Sequence, residues 1–126
     1  MLFNCFAVGA GGFLGAVFRY LISLMPFLQR EVLPLPTLLV NVAGAIVIGI
    51  VVKTSESSGV LNEQALLFLK VGVCGGFTTF SSFALESLTL MQDGKSMMSL
   101  VYMAASVVLC ILGVYLGKWI AGYFGA

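Results

Sequence analysis

Apolar positions along this chain gather into four long stretches, near residues 2–28, 36–52, 65–91 and 97–124. A helix crossing a bilayer core of about 30 Å needs roughly 20 apolar residues, and each stretch comes close to that length. The pieces between them, residues 29–35, 53–64 and 92–96, hold most of the charges and turn residues and read as short polar loops. The pattern predicts an all-α membrane protein with four transmembrane helices in a single domain, residues 1–126, with no linker, low-complexity run or internal repeat. The second stretch is short. The third would be roughly 40 Å long as one straight helix, so tilt or a helix in two pieces must absorb the excess.

Inside that third stretch, Gly72 to Glu86 reads Gly-Val-Cys-Gly-Gly-Phe-Thr-Thr-Phe-Ser-Ser-Phe-Ala-Leu-Glu, with three glycines, four hydroxyls and a carboxylate in apolar surroundings. Lipid offers no partner to a free backbone group, so irregular backbone at that depth survives only where protein or a water-filled cavity shields it. A broken third helix is the expectation, with the break as the functional part.

Composition agrees: 60% of residues are hydrophobic and 9% charged, and the mean hydropathy is +1.12. Soluble domains carry about 25% charged residues. A net charge of +1 with no basic block excludes a nucleic-acid surface, which needs clustered Lys and Arg. Cys5, Cys74 and Cys110 are odd in number and widely spaced, and the chain has no histidine, so neither a disulfide framework nor a thiolate metal site is expected. The first stretch lacks a basic leader and a small-residue cleavage site and contains Arg19, so it reads as a retained span.

With four spans, one side of the membrane holds Lys53, Lys118 and, near a helix start, Lys70; the other holds Arg30, Lys95 and, from within the first span, Arg19. Positive charge in loops sets orientation, and here it sets none. A dual-topology chain, one that inserts both ways, can pair with itself antiparallel, so a homodimer is expected, with the relative direction of its two copies left open by the charges.

Helical spacing then aligns the polar residues. The first span places Gly12, Gly15, Arg19 and Ser23 on one face, small residues of the kind that let helices approach closely. Arg19 within a span either snorkels or binds neighbouring carbonyls, or else raises the local anion concentration at a vestibule. Asn41, on a line with Thr37, either bonds between helices or lines a water-filled mouth. The fourth span aligns Ser99, Tyr102, Ser106, Cys110, Gly113 and Gly117. Beyond the glycines of the third, Thr79, Ser82 and Glu86 form one stripe and Phe80, Phe83 and Ser87 another. An aromatic pair at that spacing either packs or turns its electropositive ring edges toward a small anion.

Taken together these residues resemble the Fluc, or CrcB, family of fluoride channels. The motifs are Gly12-x-x-Gly15-Ala16-x-x-Arg19-Tyr20, Thr37-Leu38-x-Val40-Asn41-x-x-Gly44 and Gly72-x-x-Gly75-Gly76-x-Thr78-Thr79-Phe80-Ser81-x-Phe83-x-x-Glu86. The resemblance implies an antiparallel homodimer in the cell's inner (plasma) membrane that passes fluoride through two pores. It also implies a central structural sodium ion held by the backbone carbonyls of Gly75 and Thr78 from both subunits. Phe80 and Phe83 would line the fluoride route and Asn41 its vestibule. Tyr102, Ser106 and Cys110 would form a polar track, Ser81, Ser82 and Thr79 would add hydroxyls, and Arg19 would match the family's arginine. The chain departs from the pattern at Pro36, where a glycine is usual, at Ser82, a common threonine, and at Cys110, where a hydroxyl is expected.

Fluoride is small and tightly hydrated, so a selective pore must replace its water with donors yet let it go. The rival function, a proton-coupled multidrug exporter, needs an intramembrane carboxylate, and Glu86 is the candidate. Glu86 sits near a helix end, however, and Arg19 would repel cationic substrates.

Overall fold

The computed structural model describes residues 1–29 and 32–125. Arg30, counted above in the first loop, lies outside the described residues. Four helical spans are long and apolar enough to cross a membrane: α1 (Leu2–Ser23), α2 (Leu35–Ser58), a composite third span (Glu63–Gln92) and α6 (Ser96–Tyr123).

The first two spans end where backbone chemistry, rather than hydropathy, dictates. Apolar sequence continues to Leu28, but α1 stops at Ser23, because Pro26 has no N–H and forces extended backbone on Met25 before a single 3-10 turn, Pro26–Leu28. The second span is not short: α2 runs 24 residues, through the polar segment Lys53 to Ser58, until Gly59 takes a left-handed conformation with φ 59°. Pro34 and Pro36 fall at its start, where the missing N–H groups would have had no helical partner.

Four pieces make up the third span. Asn62 caps α3 (Glu63–Leu66), its Oδ1 accepting from the Ala65 N–H at 2.8 Å. A π-helix follows over Leu67–Cys74, then α4 (Gly75–Phe77). Thr78 and Thr79 are extended, with ψ of 158° and 121°, and α5 (Phe80–Gln92) completes the span. The expected break is therefore present, and it falls just after the glycines rather than on them.

Small residues bring the helices together in two pairs. A Cβ on Gly72 would lie 2.8 Å from the Gly11 Cα, and one on Gly76 would lie 2.5 Å from the Gly12 carbonyl oxygen, so α1 rides directly on the first arm of the broken span. On the other side α6 meets α2, where a Cβ on Gly117 would collide with the Ile46 carbonyl. Most large apolar side chains point outward, Phe13, Ile111 and Tyr115 among them, as lipid or a second subunit requires. Few large side chains are fully interior, Val40 and Tyr102 foremost.

Candidate functional site

Two extended residues in the middle of a membrane span interrupt the helical ladder, and side chains of α2 and of the break itself take up part of the deficit. Asn41 lies alongside Thr79 like a second peptide group: its Nδ2 donates to the Thr79 carbonyl at 3.0 Å, and its Oδ1 accepts from the Thr79 N–H at 2.7 Å. Thr79 also caps α5, its Oγ1 accepting from the Ser82 N–H at 3.2 Å and donating to the Ser82 Oγ at 3.1 Å. Upstream, the Thr78 N–H and Oγ1 both donate to the Cys74 carbonyl, at 3.0 and 2.8 Å.

These bonds satisfy donors selectively. In an unbroken helix the Gly75 carbonyl would accept from the Thr79 N–H and the Thr78 carbonyl from the Ser82 N–H. Both N–H groups are taken instead by Asn41 and by the Thr79 hydroxyl. The carbonyl oxygens of Gly75 and Thr78 are thus released from the helical ladder, and Gly75 lies on the exposed surface of the subunit.

A second polar cluster sits beyond the break. Glu86 accepts from the Thr37 Oγ1 on one carboxylate oxygen at 2.6 Å and from the Tyr102 Oη on the other at 2.7 Å, tying α2, α5 and α6 together. Ser99 donates to the Ser87 carbonyl at 2.7 Å and Ser87 to the Phe83 carbonyl at 2.7 Å, fixing α5 against α6. The rings of Phe80, Phe83 and Tyr102 form a ladder, with centroids 5.5 and 5.3 Å apart and ring planes inclined by 47° and 52°.

Two cavities flank the break, and Thr79 borders both. The first, about 380 Å³, is walled by Asn41, Gly75, Thr78, Phe80, Phe83, Ser106 and Cys110, with Lys70 also on its rim. The second, about 360 Å³, is walled by Arg19, Ser23, Thr37, Ser82 and Glu86. Most of the expected site residues therefore assemble in the first cavity. Ser106 is buried there with no partner for its Oγ.

Five of the expected residues stand elsewhere, Ser82 and Glu86 among them as walls of the second cavity. Tyr102, at 1% exposure, borders neither cavity, and its hydroxyl proton is committed to Glu86. Arg19 borders the second cavity rather than the one holding Asn41 and the phenylalanines, and its buried Nε has no hydrogen-bond partner. Ser81 is exposed, with its Oγ 3.4 Å from the Thr79 Oγ1. Sequence reasoning gave no role to Thr37 or Lys70. Thr37 carried a signal, one turn before Asn41 on the same stripe; Lys70 carried none beyond being a charge in apolar sequence.

A polar, cavity-flanked break held inside four apolar helices defines a multi-pass helical membrane protein whose chemistry lies within the bilayer. Residues 6–118 match the family described as CrcB-like protein, Camphor Resistance (CrcB), and the chain belongs to that family. It is 42% identical to the fluoride-specific ion channel FluC of Ruminiclostridium cellulolyticum over 95% of this chain and 93% of that protein. It is 40% identical to the protein of that name from Methylobacterium radiotolerans, over 96% and 86% of the two chains. With the FluC of Chlorobium phaeobacteroides strain BS1 the identity is 44%, over 90% and 89%.

Proposed function

We propose that this chain is a fluoride-selective channel of the plasma membrane that lets cytoplasmic fluoride leave passively and so confers fluoride resistance. Its relatives are named fluoride-specific ion channels, and the first cavity has the chemistry such a task requires. Aromatic edges at Phe80 and Phe83, the uncommitted Ser106 hydroxyl and the Cys110 thiol line one wall system, with the Asn41 clamp behind them. Weak donors in series replace part of the hydration shell without trapping the ion. Hydrogen fluoride enters cells as the neutral acid, dissociates in a less acidic cytoplasm, and would leave as the anion.

The functional unit is an antiparallel homodimer with two pores, the arrangement supported by the even division of Lys and Arg between the two ends and by the exposure of Phe80 and Gly75 on the lone subunit. A sodium ion would sit between the subunits on the carbonyl oxygens of Gly75 and Thr78. The residues present fit it: hard monovalent cations take oxygen ligands, and these two carbonyls are those whose helical N–H partners have been diverted. When bound, the ion supplies positive potential at the centre and a link between subunits.

The observation that carries this reading is the Asn41–Thr79 clamp beside the Phe80–Phe83 cavity, since packing alone needs neither a break nor its repair. Glu86 does not favour the proton-coupled exporter, because both its oxygens are occupied by hydroxyl donors. Purified protein in fluoride-loaded liposomes should release fluoride on addition of a potassium ionophore, and chloride far more slowly. Equal release of the two halides, or release that needs a proton gradient, would overturn it.

A further inference from the structure

Among the described residues, Lys70 is the only charged one in the walls of the first cavity. It lies seven residues into the third span, which begins at Glu63, a depth of roughly 10 Å at helical rise. An ammonium at that depth is costly unless its head reaches water or an anion. The π-helix around it matters here. With i→i+5 bonding, Lys70 and Gly75 come onto nearly one face, turning the lysine toward the break instead of away from it. Among the described residues no carboxylate borders the same cavity, and the one ion pair is Lys118–Glu56, at 3.6 Å.

The same cavity holds the Ser106 hydroxyl, buried to 5% exposure with no partner. A fixed cation and a residue carrying an idle, buried donor therefore border a common space, while Arg19, the charge that resemblance would assign to a vestibule, borders the other cavity beside Glu86. We propose that Lys70 is the charge that draws small hard anions into the first cavity, with Ser106 as the uncommitted donor that meets them there. The inference rests on the channel reading above and adds to it the residue that governs entry. Its physical content is electrostatic focusing: a cation at a low-dielectric mouth raises the local anion concentration, and added salt screens the effect.

The test is the initial rate of fluoride efflux from liposomes at low and high ionic strength, on the order of 0.01 M and 1 M, where the screening length falls from about 30 Å to about 3 Å. Lys70→Gln should slow efflux about tenfold or more at low salt, the lower end of what focusing provides, and leave it nearly unchanged at high salt. Lys70→Arg should keep both the wild-type rate and its salt dependence. Lys70→Met, a neutral, unbranched and apolar replacement, serves if the glutamine variant does not yield a dimer on size exclusion. A neutral variant that matches wild type at low salt, or that loses the same fraction of its rate at both salts, overturns the assignment of Lys70 while wild-type efflux leaves the channel reading standing. Wild-type protein that passes no fluoride removes both.

Discussion

Replacing Asn41 by alanine leaves the Thr79 N–H, bonded at 2.7 Å, with no partner, and takes from the Thr79 carbonyl, bonded at 3.0 Å, the second of its two donors, since an N-cap carbonyl also accepts the first helical N–H. The unmet donor costs about 1–3 kcal/mol and the lost second bond about 0.5–1.5 kcal/mol, hence about 1.5–4.5 kcal/mol together. Asn41 borders the first cavity, so water can reach part of the wound, which selects the lower end. Even about 1.5 kcal/mol is roughly tenfold in the equilibrium between the intact break and a relaxed one. Asn41→Ala should therefore reduce fluoride efflux by at least about tenfold and lower the thermal midpoint in detergent. Asn41→Asp separates the clamp from simple space-filling. It keeps the acceptor for the Thr79 N–H but, when ionised, turns a second oxygen on the Thr79 carbonyl. Once protonated, that oxygen donates to the carbonyl and the clamp is restored. The protonated side chain alone restores both bonds, so the midpoint of this variant should be higher at low pH and fall as pH rises. Wild-type efflux and midpoint in Asn41→Ala, or an Asn41→Asp midpoint that ignores pH, would refute the clamp.

Phe80→Ile and Phe83→Ile keep apolar volume but remove the ring edges, and should suppress efflux with the dimer intact on size exclusion; unaltered transport would return both rings to packing. Glu86→Gln replaces a carboxylate that accepts from both Thr37 and Tyr102 by a group with one acceptor oxygen, so one charge-assisted bond is lost, about 1.5–3 kcal/mol. The midpoint should fall accordingly, with Glu86→Ala falling further because two hydroxyls then stand unpaired. Cys110 borders the first cavity, so in a Cys5→Ser, Cys74→Ala background a small methanethiosulfonate should stop efflux, and Cys110→Ser should abolish that sensitivity. Full efflux after complete labelling of Cys110 would place the thiol off the route.

How much of this was legible in the sequence depended on whether the determinant was local. Four apolar runs and the Gly72 to Glu86 cluster announced the spans and the break, because lipid penalises every unpaired backbone group and few residue patterns permit one. Span ends were legible only through single residues: hydropathy overran Pro26 at the end of α1, and it stopped at Val52 although the polar residues up to Ser58 are helix-compatible and only Gly59 ends α2. Gly75 and Gly76 drew attention as a hinge, yet Gly75 is helical, with φ −65° and ψ −37°, and Gly76 is small because α1 crosses it. Thr78 and Thr79 carry the extended backbone. The Thr37–Glu86–Tyr102 cluster could not be read at all, since it joins three helices and no spacing along one of them encodes the others. Nor could the π-helix, whose residues would serve equally well in an α-helix.

Counting protons rather than polar residues changes what the hydroxyls around the break can do. An anion route needs donors that are not already spent, and most here are. Thr37 and Tyr102 give theirs to Glu86, Thr78 to the Cys74 carbonyl, Ser87 and Ser99 to carbonyls of α5, and Thr79 to Ser82. Ser106 is the buried exception. The polar stripe of α6 is thus mainly structural at Ser99 and Tyr102, and it becomes available to an ion only from Ser106 onward, where Cys110 contributes a thiol, a weak donor. On the channel reading proposed above, with so few strong donors, the ring edges of Phe80 and Phe83 would carry the ion past the break, and the weakness of those contacts would be an advantage. A full set of hydroxyls would hold a stripped fluoride too firmly to release it, whereas conduction requires sites good enough to enter and poor enough to leave. Adding a strong donor should then slow this pathway: Cys110→Ser is expected to bind fluoride more tightly and pass it no faster, and a marked gain in efflux would show that donors, not rings, limit the flux.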